Sequence, residues 1–232
     1  EDLLQRPSGD LFGISQNAGM IGKGDEATLP NMVILSTLGG WPGKAIGAHT
    51  GHNELYMLVE AAAEEFRRLK QLPFALYTSD TCDGRTQGTI FAGISLPSRN
   101  VIYKGLATQL RGIPCAEGVV GIATCDKGLP AMTLPPEEGE DAGTIQSLGT
   151  RFAKGLINLQ QAQDLGCKAC ATPGGGCQFF GTAATAQCVA EALGLSLTHS
   201  ALAPSGFDIW TDLARESAEA IVSLRARGIG VS

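Results

Sequence analysis

Along the chain, short apolar runs closed by glycine or polar turns alternate with longer stretches of helical period. Asn31 to Leu38 (NMVILSTL) is apolar almost throughout and stops at Gly39-Gly40, the pattern of a buried strand. Asn53 to Lys70 places Leu55, Leu58, Val59, Ala62, Phe66 and Leu69 on one helical face, with Asn53 as its candidate N-cap. Pro73 to Ser79 (PFALYTS) and Gly118 to Thr124 (GVVGIAT) read as two more strands. Thr182 to Leu195 reads as a helix after a glycine-rich turn. Ile209 to Arg227 reads as another, with Trp210, Leu213, Ala214, Ser217, Ile221 and Leu224 on one face. His199 to Gly206 reads as a polar loop and Glu137 to Asp141 (EEGED) as a solvated acidic turn. Strand, helix, strand order implies parallel pairing, so the expectation is an α/β fold with a mainly parallel sheet flanked by helices.

Composition narrows this picture. A chain of 232 residues can bury a substantial core as one large domain or two small ones. Hydrophobic content of 44% against 17% charged excludes a disordered chain. No apolar run approaches the roughly 18 to 20 residues needed to span a bilayer, and no basic segment followed by an apolar one opens the chain; the expectation is a soluble, cytoplasmic protein without a membrane partner. A net charge of −6 argues against a nucleic-acid surface, which needs clustered Lys and Arg. It leaves room for a small anionic ligand, because a bound metal can reverse the local field. Seven cysteines, an odd number in a chain of cytosolic character, suggest ligands or free thiols ahead of a disulfide framework.

Three clusters can carry chemistry. Cys125-Asp126-Lys127 follows the third strand and puts a soft thiolate, a hard carboxylate and an amine side by side. A thiolate suits iron or zinc and a carboxylate suits magnesium or manganese, although the tripeptide taken alone is weak evidence and fits a packed cysteine beside a surface ion pair better. Cys82-Asp83-Gly84-Arg85-Thr86 repeats the Cys-Asp pair after the second strand, where Asp83 is an oxygen donor or simply the start of an Asx-turn. In parallel sheets ligands gather at the carboxyl ends of strands, where both clusters fall. The third cluster runs Cys167-Lys-Ala-Cys170-Ala-Thr-Pro-Gly-Gly-Gly-Cys177 into a helix; its glycines let backbone fold around inorganic sulfur or phosphate, while its Cys-x-x-Cys spacing also fits zinc. Cys188 falls on the apolar face of the following helix and reads as core. His49 and His52 are ligand or substrate-contact candidates, or ordinary hydrogen-bonded histidines. No nucleophile elbow, phosphate-binding loop or dinucleotide fingerprint is present.

Taken together, Arg6 to Gly13 (RPSGDLFG), Ser36 to Gly40 (STLGG), Ser79 to Thr89 (SDTCDGRTQGT), Ser95 to Arg99 (SLPSR), Cys125 to Pro130 (CDKGLP), Gly166 to Leu195 and His199 to Gly206 resemble the dihydroxy-acid dehydratase and 6-phosphogluconate dehydratase family. The likeness is nearest its aldonate branch, which acts on D-xylonate. The resemblance implies the family's three-layer α/β N-terminal domain over residues 1–232, binding both cluster and magnesium, with the C-terminal domain of these longer proteins outside this sequence. It implies a hydro-lyase that removes water from a sugar acid, giving an enol that tautomerises to the 2-keto-3-deoxy acid. Cys125 and Cys177 fall on two of three cysteines for an iron–sulfur cluster, [2Fe-2S] or [4Fe-4S]. Asp83 and Asp126 fall on Mg2+ ligands, and Lys127 on a lysine carbamylated to add another. The third cluster ligand is either Cys82 or His49, with Cys82 preferred, because the family's Cys-Asn-x-His segment reads His49-Thr-Gly-His52 here. His199, Ser200 and Ser205 would help position the hydroxylated tail of the substrate, unless the serines serve as structural caps. The family assembles as homodimers or homotetramers. Pro130-Ala131-Met132-Thr133 passes straight to a loop that the family reaches only after a helix and a strand, so residues of its pattern are expected to be missing after Ala131. Two other readings stay open: a dihydroxy-acid dehydratase of branched-chain amino-acid synthesis, and a non-catalytic zinc-binding scaffold built on Cys167, Cys170 and Cys177.

Overall fold

The computed structural model describes residues 5–39, 41, 44–45, 47, 50–78, 81–123, 150–162, 164, 183–203 and 207–230. Helix α1 (Ser8–Ile21) leads through a 3-10 turn (Glu26–Thr28) into β1 (Asn31–Ser36). Then come α2 (Thr50–Arg68), β2 (Leu72–Tyr77), the single turn α3 (Asp83–Thr86), a 3-10 segment (Ile90–Ile94), α4 (Ser95–Arg111) and β3 (Ala116–Ile122). Helix α5 (Ala183–Ala192), a 3-10 turn (Ser200–Leu202) and α6 (Asp208–Ala226) close the described chain. The three expected strands and three expected helices are all present. Asn53 lies inside the first turn of α2, so it is not the N-cap, and the loop expected from His199 holds a short 3-10 turn. Helices α1 and α4 were not read from the sequence.

The strands form one parallel sheet in the order β2-β1-β3. Central β1 is apolar on both faces because both are covered: Met32, Val33 and Ile34 have no exposed surface. Met32 and Ile34 pack with Leu55, Leu58, Val59, Ala62 and Phe66 of α2, Val120 and Ile122 of β3, and Trp210, Ala214 and Ala218 of α6. The pleat turns Val33 and Leu35 to the opposite face, where α4 lies with its buried Ile102. The crossover from β1 to β2 and the one from β2 back across to β3 travel in opposite directions, which by the right-handed rule for parallel crossovers puts α2 and α4 on opposite faces. The chain is thus a three-layer α/β fold.

Two contacts bring α6 tight against β3. Glu117 is the extra residue of a bulge, since Asn31 pairs with Ala116 and Met32 with Gly118. Its carboxylate accepts from Arg225 Nε of α6 at 2.6 Å. At Gly118 the strand has no room for a side chain: a Cβ there would stand 2.5 Å from Ile221 Cγ2 and 2.7 Å from Met32 Sδ. Among the described residues no helix is long and apolar enough to cross a membrane.

Candidate functional site

The order β2-β1-β3 means that the connection after β1 runs to one side of it and the next returns across it to the other, so the order reverses between the carboxyl ends of β1 and β3. Such a reversal is where open parallel sheets hold ligands. The ladder runs just past the strands: Thr37 N–H donates to Ile122 O at 3.2 Å and Thr78 N–H to Ser36 O at 2.9 Å. All three strand ends therefore reach the same edge. From there the sequence leads within a few residues to the predicted ligands. Three residues of chain, at most about 11 Å, separate Ile122 from Cys125. Cys82 and Asp83 follow β2, and His49 precedes α2 on the connection from β1.

Two cavities bracket the end of β3. One, of about 260 Å³, lies between Leu35 to Thr37, Gly121 to Ala123, and Arg99, Ile102, Tyr103 and Leu106 of α4. Its wall is mostly apolar, and Arg99 is an exposed member of it. The other, of about 130 Å³, opens on the α6 side and is shared by Gly121 to Ala123 with Gln187, Ser196, Leu197, Ser200 and Trp210. Three polar atoms here, Gln187 Oε1, Ser196 Oγ and Ser200 Oγ, are buried without a hydrogen-bond partner.

Cys82 carries a half-buried free thiol. The loop before it is tied to α4 by a hydrogen bond of 3.0 Å from Thr81 Oγ1 to Ser98 Oγ, and Cys82 O accepts from Arg85 N–H at 3.2 Å. Asp83 begins α3; its side chain is outside the description, as are His49, Cys125, Asp126, Lys127, Cys167, Cys170, Cys177, Ser205 and the junction at Ala131. Among the described residues no three His, Cys, Asp or Glu side chains stand close enough to hold a metal ion. Cys188 is half-buried against Ala201, Ala203 and Leu213, the packing role expected of it.

His199 and Ser200 come back alongside the end of α5. Gly194, at φ 71°, turns the chain, with Leu195 N–H donating to Ala190 O at 2.9 Å. His199 itself has φ 67°, uncommon for a residue other than glycine. Its N–H donates to Glu191 Oε1 at 2.7 Å, Ala201 N–H donates to Glu191 Oε2 at 2.9 Å, and Gln187 Nε2 donates to Ser200 O at 3.3 Å. Those amides, His199 first and then Ala201, hold the Glu191 carboxyl below the ordinary glutamate value. Ser200 lines the same cavity as Ile122 and Ala123 at the end of β3. Gln187 and Glu191 were missed in the sequence. The available signal was their spacing of four on α5, one helical turn, facing a loop already singled out.

A family model described as "Dihydroxy-acid/6-phosphogluconate dehydratase N-terminal" matches residues 44–138 and 134–231. The two stretches overlap at residues 134–138. D-xylonate dehydratase YjhG of Escherichia coli K12 is 48% identical over 253 residues, covering 99% of this chain and 39% of that protein. D-xylonate dehydratase YagF of the same organism is 48% identical over 254 residues, 98% of this chain and 38% of that protein. A dihydroxy-acid dehydratase of Methanoregula boonei is 30% identical over 196 residues, 75% of this chain. The chain spans 39% and 38% of the length of the two E. coli relatives.

Proposed function

We propose that this chain, which belongs to the dihydroxy-acid/6-phosphogluconate dehydratase family, is the cluster- and magnesium-binding part of a hydro-lyase that dehydrates a sugar acid, D-xylonate first among candidates. The observation that carries the reading is 48% identity to two D-xylonate dehydratases over nearly the whole chain, against 30% to a dihydroxy-acid dehydratase.

The donor chemistry fits both groups. Cys125, Cys177 and Cys82 offer soft thiolates for an iron–sulfur cluster, with His49 as the alternative third ligand. Asp83, Asp126 and Lys127, the last as its carbamate, offer hard oxygens for Mg2+. When bound, the metals supply Lewis acidity toward an anionic, hydroxylated substrate. The chain's own part is positional. The parallel strands direct their following loops toward one edge, and Ser200, which lines a cavity with Ile122 and Ala123, would with His199 help position the substrate's hydroxylated tail. Product is the 2-keto-3-deoxy acid, and the working form is a cytoplasmic homodimer or homotetramer.

The test is Cys125→Ser in the purified holoprotein, prepared without oxygen. Loss of the brown iron–sulfur absorption and of 2-keto acid formation from D-xylonate is expected. A colourless variant that still turns over would overturn the assignment, and zinc without sulfide in the unsubstituted protein would favour a scaffold.

A further inference from the structure

The peptide units from His199 to Ala201 are held from one side by two residues of α5 spaced one helical turn apart. Glu191 accepts both flanking N–H groups, at 2.7 and 2.9 Å, and Gln187 Nε2 reaches the carbonyl between them at 3.3 Å. Left-handed His199 followed by the right-handed turn at Ser200 makes the N–H groups of His199 and Ala201 converge, a concavity that suits an anion. Here the anion is internal. The turn is also closed by Ser200 N–H donating to Leu197 O at 3.0 Å, so the left-handed histidine, a conformation that carries strain of order 1 kcal/mol, is held by both contacts. Neither His199 nor Ser200 can change its backbone direction while the carboxylate is seated. Ser200 in turn shares the 130 Å³ cavity with Ile122 and Ala123, where its hydroxyl, that of Ser196 and Gln187 Oε1 have no partner. Hydroxyls or water brought by a ligand are the complement of such a wall.

We propose that Glu191 is a positioning residue for substrate recognition: its carboxylate presets the turn from which His199 and Ser200 meet the hydroxylated tail of the sugar acid. The idea rests on the dehydratase reading above. It assigns Glu191 neither proton transfer nor metal binding. It predicts that damage to the carboxylate is felt through the tail of the substrate alone.

The experiment compares D-xylonate with glycerate, a 2,3-dihydroxy acid that lacks the tail, in the purified holoprotein. Glu191→Gln keeps one acceptor oxygen and sets an NH2 against the second amide. KM for D-xylonate should rise about tenfold, the value of roughly one hydrogen bond, while kcat/KM for glycerate and the iron–sulfur spectrum stay unchanged. Ser200→Ala removes a hydroxyl without touching the clamp and should raise KM for D-xylonate similarly. The double variant should cost clearly less than the product of the two effects, because both act on one contact. Equal loss on both substrates, or independent effects of the two substitutions, would overturn the role of Glu191. Absence of 2-keto acid from the unsubstituted holoprotein with either substrate would instead sink the dehydratase reading, and this role with it.

Discussion

Glu65 is the one charged residue among the buried described ones, 6% exposed within α2. Arg68, one turn on, meets both its oxygens, with Nε at 2.8 and 2.9 Å, and the same guanidinium donates to Glu219 of α6 at 2.7 Å. The Arg68 hydrogen bonds hold the Glu65 carboxyl below the ordinary glutamate value of 4.5 against the opposing effect of burial. Because the folded pKa is depressed, the stabilisation is fully present above the unfolded value and is lost as pH falls through the folded one. Urea unfolding of the chain at a series of pH values should therefore show stability falling below about pH 4.5. Glu65→Gln should flatten that fall, at the cost of lower stability at neutral pH. An unchanged slope would mean that Arg68 contributes nothing through Glu65.

At the scale of elements, legibility followed burial. Strands β1, β2 and β3 and helices α2 and α6 could be read because each buries an apolar face, and periodicity records burial. Helix α1 escaped notice because only Asn17 among its residues is buried, with Gly9, Gly13 and Gly19 diluting any pattern. Helix α4 carries Pro97 in its first turn, where proline is tolerated, and Gly105 within reach of Thr78 Oγ1, so both read as breakers. Near the site, the strand ends were legible. The Glu191 clamp was not, since its partners are backbone N–H groups that leave no mark in side-chain identity. The bulge at Glu117 and the close approach at Gly118 were hidden for the same reason, being features of backbone spacing. Gly118→Ala should destabilise the fold by about 1–3 kcal/mol through overpacking against Ile221 and Met32. Guanidinium unfolding checks this, and a loss well under 1 kcal/mol would show that α6 can slide off the strand. The smaller side chain of Ile221→Ala in the same background should recover part of the loss.

For the whole molecule, all three strands deliver their connecting loops to one edge, so a cation held there by Asp83, Asp126 and Lys127 would link segments far apart in sequence. Such binding stabilises only the folded state, by about 2.7 kcal/mol at a hundredfold excess over the dissociation constant. Thermal unfolding of the holoprotein should thus shift upward with added magnesium, and Asp126→Asn should remove the shift while leaving the magnesium-free midpoint in place. A shift that survives this substitution would move the cation elsewhere. The strand order also governs how the chain comes to be built. β1 is the earliest of the three strands yet sits in the middle, and while β2 can pair with it soon after α2 forms, its other edge stays open until β3 arrives. An open apolar strand edge is a template for aggregation, and pairing over long sequence separation is slow. Docking of β3 ends that exposure and, in the same event, brings the end of β3, three residues before Cys125 in sequence, to the sheet edge. Loading of the proposed cluster would thereby be queued behind completion of the sheet, and a nascent chain stalled before β3 would be a hazard to its neighbours rather than a half-made metal site.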